Sequence, residues 1–84
     1  MKYFDIANDV TTSVLREHLG IAIVNPECKF EEYDADDIDI AEICIKIEER
    51  IANLGMKIDI GYEYNTNSRV KKVIENIKTN LIVA

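Results

Sequence analysis

The 84-residue chain contains no tryptophan, one proline, three glycines, two cysteines and one histidine. Low proline and glycine contents are typical of a folded protein. Disorder is also not expected because 48% of the residues are hydrophobic, which is enough to build a core. Cys28 and Cys44 do not form the pattern of a disulfide scaffold or a zinc site. No apolar run approaches the roughly 20 residues that a transmembrane helix needs. We therefore expect one domain spanning residues 1–84, located in the reducing cytoplasm and not bound to a membrane.

Positive charge is also scarce in this sequence. Ten Lys and Arg stand against 16 Asp and Glu, which gives a net charge of −6 at pH 7. Nucleic-acid binding needs clustered Lys and Arg side chains on one surface, so the composition argues against nucleic acid as a partner. An acidic protein of this kind is instead expected to bind proteins that carry basic patches.

Apolar residues recur with a helical period in three segments. A first helix is predicted over residues 3–19, ended by Gly20, and a last one from about residues 66–68 to Leu81. The second helix, over about residues 37–54, has the strongest pattern, and its apolar stripe spans a sector of roughly 100°. We expect that stripe to be buried; its members are Ile40, Ile43, Cys44, Ile47, Ile51 and Leu54. The expected core face of the first helix consists of Tyr3, Ala7, Val10 and Val14. That of the last helix consists of Val70, Val73, Ile74, Ile77 and Leu81.

The segments between these helices carry weaker signals. Residues 20–36 are predicted to form a long loop, in which the apolar residues 21–24 cover one end of the core. Residues 57–60 alternate in polarity but are interpreted as an extended connector, and residues 62–65 could form one short helical turn. The predicted fold is a small all-α bundle of three main helices, with this short turn as a minor fourth element.

A second apolar strip lies on the far side of the second helix, about 100–160° around from Ile40. Its members are Ile38, Ala41, Ile45 and Ala52, and it is bordered by Glu42, Glu48 and Glu49. Two interpretations remain open at this point. Another helix or the long loop could cover the strip, or the strip could be an exposed docking surface whose acidic border meets Arg and Lys on a partner.

Residues 34–43, Asp-Ala-Asp-Asp-Ile-Asp-Ile-Ala-Glu-Ile, resemble the acyl carrier protein signature Gly-Ala-Asp-Ser-Leu-Asp-x-x-Glu-Leu. Glu17-His18-Leu19-Gly20 is similar to the end of the first helix in that family, and Ile47-Glu48-Glu49 is similar to the Leu-Glu-Glu of the second. Phe30 stands where the family often has an apolar loop residue, and Thr66 with residues 70–77 resembles its last helix. The resemblance covers nearly the whole chain and implies an acyl-carrier-like bundle.

The chain departs from the family pattern at the position where carriers attach 4′-phosphopantetheine. In the family this position is a serine, and here it is Asp37, whose carboxylate cannot accept the group as a phosphodiester. The two serines, Ser13 and Ser68, belong to other predicted helices and cannot take its place. We therefore expect no cofactor on this protein.

The resemblance implies that the recognition surface is retained. In carriers, apolar contacts to enzymes come from the positions of Ile38, Ala41 and Ile45. The acidic positions around them correspond to Asp39, Glu42, Glu48 and Glu49. Asp37 could also supply negative charge where the phosphodiester would lie, or it could simply cap the helix.

Three hypotheses for function follow from these residues. The first is a monomeric, carrier-like protein without the phosphopantetheine arm, which docks to enzymes of fatty acid, polyketide or related acyl pathways. The second is a true acyl or aminoacyl carrier whose attachment serine was replaced or lies elsewhere. The third is a generic acidic helical adaptor that resembles carriers by convergence.

Enzymatic and metal-binding roles are not expected. An EF-hand loop starting at Asp34 would need an oxygen ligand at Ile38, glycine at Asp39 and glutamate at Ile45, so only weak, nonspecific divalent binding is predicted. His18 has no evident ligand or nucleophile partner in the sequence and is interpreted as structural, near the negative end of the first helix. We expect no catalytic residue.

Overall fold

The computed structural model describes residues 6–58 and 63–80, together with the backbone of residues 82–83. Its three α-helices are α1 (Ile6–Leu19), α2 (Asp37–Asn53) and α3 (Val70–Asn80). A 3₁₀ helix at Phe30–Tyr33 precedes α2, and two-residue strands, β1 (Met56–Lys57) and β2 (Ile82–Val83), pair antiparallel. Helix α1 packs against both α2 and α3, so the predicted all-α bundle is confirmed. None of the helices described here has the length and apolar character that crossing a membrane requires.

The core lies between the predicted apolar faces of the helices. Ile43, Ile47 and Ile51 of α2 are completely buried, and Ile40 and Cys44 are nearly so. Ala7 and Val14 of α1 are also buried. The predicted face of α3 is buried at Val70, Val73, Ile74 and Ile77. Val10 is only partly buried, and the side chains of Tyr3 and Leu81 lie outside the described residues.

The prediction that Leu54 belongs to the core is wrong. Its side chain is 55% exposed. Helix α2 ends at Asn53, and Leu54 is the residue that caps it, so the chain has already left the helical path there. Beyond the end of a helix, the 3.6-residue period no longer determines which side a residue occupies. Gly55 follows with a φ of 81°, a conformation that glycine adopts without steric cost.

The connection over residues 20–36 is more ordered than predicted. Phe30, the first residue of the 3₁₀ helix, is completely buried. The Phe30 amide donates to the Ser68 carbonyl at 3.0 Å, and the Val70 amide donates to the Cys28 carbonyl at 3.0 Å. These bonds tie the connection to the start of α3. Ile23, by contrast, is 80% exposed, so residues 21–24 do not jointly cover the core as predicted.

Two predicted boundaries differ from those in the structure. Helix α3 begins at Val70 and not at 66–68, where the Asn65 side chain instead accepts from the Asn67 amide in a turn. Of the predicted connector at 57–60, Lys57 belongs to β1, which pairs with β2, and residues 59–60 lie outside the described residues. Of the short helical turn expected at 62–65, Tyr62 lies outside the described residues, and residues 63–65 are not helical.

Candidate functional site

Helix α2 separates its apolar residues into two faces. While Ile43 and Ile47 are fully buried, Ile38 is 70% exposed and Ile45 is 44% exposed. Ala52 is also exposed, and Ala41 is half-buried. We refer to Ile38, Ala41 and Ile45 as the outer strip. No described segment covers Ile38 or Ile45, so the interpretation of this strip as a covered face does not hold for its two largest side chains.

Carboxylates border the outer strip. Glu42 and Glu49 are exposed, and the side chain of Glu42 is 55% exposed to solvent. Glu48 is half-buried and takes part in an interaction of its own. Residues three and four positions apart share a helix face, which places Glu42 next to Ile38 and Ile45. The surface is therefore apolar along its length and negative at its edge.

The N-terminus of α2 is closed by a pair of aspartates. The Asp36 carboxylate accepts from the Asp39 amide at 2.8 Å, and the Asp39 carboxylate accepts from the Asp36 amide at 3.1 Å. This reciprocal arrangement satisfies two backbone donors that the helix leaves open. Asp36 is the capping residue, so Asp37 does not cap the helix. Asp37 is instead the first helical residue, with an exposed side chain at the positive end of the helix dipole.

Asp39 has a structural task in addition to its predicted docking role. Its carboxylate lies 3.1 Å from Nε2 of His18, which joins α1 to α2. Two contacts lower the pKa of the Asp39 carboxyl. The larger effect comes from the hydrogen bond of the Asp36 amide, and the smaller one from the contact with His18. Only 31% of the Asp39 side chain is exposed, so less of it is accessible to a partner than of Glu42.

His18 has three polar neighbours that the sequence did not predict. In addition to Asp39, Oε1 of Glu42 lies 3.7 Å from its Nε2, and Nζ of Lys46 lies 3.0 Å from its Nδ1. All three neighbours are on α2, one helical turn apart, whereas His18 is in the last turn of α1. The side chain of His18 is only 11% exposed. Helical spacing places Asp39, Glu42 and Lys46 on one face, but the approach of α1 to that face is visible only in the fold.

A cleft lies beside Asp37, between α2 and the segment that leads to α3. Its volume is about 300 Å³, and its lining residues are Asp37, Ile40, Ala41, Cys44, Tyr64 and Asn65. Burial raises the pKa of the Cys44 thiol to about 11, which keeps it protonated at neutral pH. A protonated thiol is a poor nucleophile, so Cys44 is not suited to covalent chemistry in this cleft. Burial also raises the pKa of the Tyr64 hydroxyl.

Both serines belong to parts of the chain other than α2. Ser13 is on α1, where its hydroxyl accepts from the Arg50 guanidinium at 2.8 Å. Ser68 is in the turn before α3, where its hydroxyl accepts from the Asn65 amide at 3.1 Å. Neither serine occupies the position of Asp37.

Comparison of the chain with protein-family models, with curated proteins and with solved structures gave no match.

Proposed function

We propose that this chain is a carrier-protein-like docking module that lacks a phosphopantetheine arm and binds partner enzymes through the outer strip of α2. The observation that carries this proposal is the exposure of Ile38 and Ile45, at 70% and 44%, beside the exposed carboxylate of Glu42. Two large apolar side chains on one helix face, with acidic neighbours, form a surface that a protein partner can desolvate.

The charges specify the chemistry of the partner. Exposed Glu42 and Glu49 favour a protein that places Arg or Lys around an apolar socket, because opposite charges steer the encounter and set its register. The strip from Ile38 to Ile45 covers about two helical turns, roughly 10 Å. Such a short strip fits the small, transient class of interface, in which less than about 1,200 Å² is buried.

Asp37 supports the absence of an attached arm. A carboxylate cannot be converted to the serine phosphodiester of carriers, and Ser13 and Ser68 lie elsewhere. Because Asp36 performs the capping, the exposed carboxylate of Asp37 remains available at the helix N-terminus. We propose that it presents negative charge to the basic surface that otherwise receives the phosphodiester.

The setting we propose is a monomer in the cytoplasm that interacts with enzymes of fatty acid, polyketide or related acyl pathways. Cys28 and Cys44 are both free, which supports a reducing compartment. The likeness of residues 34–43 to the carrier signature supports our proposal of this pathway.

Mass spectrometry after co-expression with a phosphopantetheinyl transferase tests the absence of the arm. We expect the mass of the wild-type chain to be unchanged. The Asp37→Ser variant is the matched positive control, because it restores the attachment residue at the same exposed position. Loading of the variant supports carrier ancestry, and an arm on the wild-type chain would refute the proposal in favour of a true carrier.

Charge reversal tests the docking surface. Glu42→Lys should weaken binding to a purified transferase or ketosynthase from the same genome by about tenfold or more, as the loss of a favourable charge contact and the gain of a repulsive one predict. Glu75→Lys makes the same charge change at an exposed position of α3 and should leave the affinity unchanged. Equal effects of the two variants would favour a generic acidic adaptor.

A further inference from the structure

We propose that His18, Asp39 and Glu42 together form a binding site for a divalent first-row transition metal such as Zn²⁺, which would link α1 to α2. The site does not depend on the docking function, although Glu42 belongs to both. It also differs from the acidic loop around Asp34, whose sequence does not fit a calcium-binding loop.

Nε2 of His18 lies at distances from the two carboxylate oxygens that are close to those around one metal ion. Nε2 of His18 is 3.1 Å from Oδ1 of Asp39 and 3.7 Å from Oε1 of Glu42, and all three candidate ligand atoms lie within 4.8 Å of one another. Metal–ligand bonds of about 2.1 Å place neighbouring ligands about 3.0–3.4 Å apart in octahedral or tetrahedral geometry. The two distances from His18 are close to these values, and the two carboxylate oxygens, which lie within 4.8 Å of each other, converge on the ion when it binds.

The backbone holds two of these ligands in place. Asp39 and Glu42 are three residues apart on α2, so both point from the same face. Asp39 is further oriented by the Asp36 amide, which donates to its second carboxylate oxygen at 3.1 Å. Support of a ligand by a hydrogen bond to its other atom is typical of metal sites. Glu42, with 55% of its side chain exposed, has the freedom to close onto the ion.

The donor set favours a transition metal over calcium or magnesium. One imidazole nitrogen and two carboxylate oxygens suit Zn²⁺, Co²⁺ or Ni²⁺, whereas Ca²⁺ and Mg²⁺ prefer oxygen ligands alone. The imidazole of His18 is 11% exposed, which protects one side of the site, and water can complete the coordination on the side of Glu42.

Lys46 opposes metal binding and thereby provides a diagnostic test. Its ammonium donates to Nδ1 of His18 at 3.0 Å, so Nε2 carries the ring proton and donates to Asp39. A metal that binds Nε2 displaces that proton, and Nδ1 takes one up, so the ring stays neutral. The Nδ1–H group can no longer accept from Lys46, whose exposed side chain must turn away. Removal of Lys46 should therefore tighten metal binding.

Titration of the full chain with Zn²⁺ and Co²⁺ tests the site, with calorimetry and the visible spectrum of Co²⁺ as readouts. We expect one ion per chain and a Zn²⁺-induced shift of the Nε2 resonance of His18, which is the only histidine. Partners that merely orient a ligand are worth about 10–100-fold in metal affinity, so His18→Gln should lower the affinity at least about tenfold. Lys46→Met should raise it, and Glu75→Gln, which removes a charge at an exposed position of α3 outside the site, should leave it nearly unchanged.

Two further variants keep the result decisive. Glu42→Gln alters an exposed ligand and should weaken binding even if the His18 variant does not fold. Cys28→Ser should leave the affinity unchanged, because thiolate coordination is not part of the site. No binding to the wild-type chain at millimolar Zn²⁺, or equal binding to the His18, Glu42 and Glu75 variants, would overturn the proposal.

Discussion

Helix α2 presents isoleucine to two opposite environments. Ile43 and Ile47 are completely buried against the rest of the bundle, whereas Ile38 and Ile45 are 70% and 44% exposed. The residue type is the same, and only the position around the helix differs. In a small protein with a thin margin of stability, apolar side chains that add little to the core indicate another role. The inner face of α2, which is the buried side that contains Ile43 and Ile47, accounts for the fold. The outer strip carries the proposed docking function.

The largest contrast is expected between the two cysteines. Cys44 is on the inner face and has a pKa raised by burial to about 11 from the usual 9.0, whereas Cys28 is partly exposed. A rise of this size lowers the thiolate fraction about a hundredfold near neutral pH. With a thiol reagent at pH 8, Cys28 should react readily and Cys44 only after denaturant is added. The Cys28→Ser variant retains only Cys44, and the Cys44→Ser variant retains only Cys28. Equally rapid labelling of these two variants in the native state would contradict the burial of the inner face.

Truncation of isoleucine on each face gives the next largest difference. Ile47→Ala should lower the free energy of unfolding by about 2–5 kcal/mol, because it removes a fully buried side chain and leaves a cavity. Ile45→Ala on the outer strip should cost less than about 1 kcal/mol, since much of that side chain already contacts water. Urea denaturation followed by circular dichroism measures both. Equal losses would mean that the two faces are not energetically distinct.

The two aspartates at the start of α2 should differ by a smaller amount. Asp36→Ala removes the cap and should cost about 1 kcal/mol. Asp37→Ala loses only the interaction with the helix dipole, a few tenths of a kcal/mol at an exposed site. The same denaturation experiment resolves the order. A greater loss from the Asp37 variant would argue for a structural task there and against its proposed role in partner binding.

The smallest effect is the pH dependence of stability. The pKa of Asp39 is lowered from its usual 3.8, first by the Asp36 amide and then by His18. Because the folded-state pKa lies below the unfolded one, this stabilisation is present above about pH 4 and is lost as the pH falls through the folded-state value. Asp39→Asn should therefore flatten the decrease in Tm between about pH 5 and pH 2.

Glu17 provides a comparison for that experiment. Its pKa is lowered mainly by the hydrogen bond from Arg50, which also connects α1 to α2. Glu17→Gln should flatten the same acid-side decrease without changing the α2 cap. A Tm profile that is as steep in both variants as in the wild type would show that neither carboxyl contributes.

Helical periodicity was sufficient to predict the three helices and both faces of α2. It could not predict the segments whose structure depends on distant partners. The connection over residues 20–36 is held by bonds to distant residues, such as that between the Phe30 amide and the Ser68 carbonyl. Thr11 is completely buried on α1 although it is polar, so a search for apolar residues overlooks it.

The candidate site divides in the same way. The outer strip follows from the positions of Ile38, Ala41 and Ile45 within one helix. The cluster around His18 does not, because it requires the end of α1 to approach α2, and His18 and Asp39 are 21 residues apart. A histidine without a nearby partner in sequence therefore acquires carboxylates only through packing.

The most direct test of the central claim is nuclear magnetic resonance of the ¹⁵N-labelled chain during titration with a purified carrier-binding enzyme, such as a phosphopantetheinyl transferase from the same genome. We expect shift changes concentrated at Ile38, Ala41, Glu42, Ile45 and Glu49, with little change at the exposed α3 residues Lys72 and Glu75. Changes centred on α3, or no change at a partner concentration of about 1 mM, which would detect even weak binding, would contradict the assignment of the outer face of α2 as the docking surface.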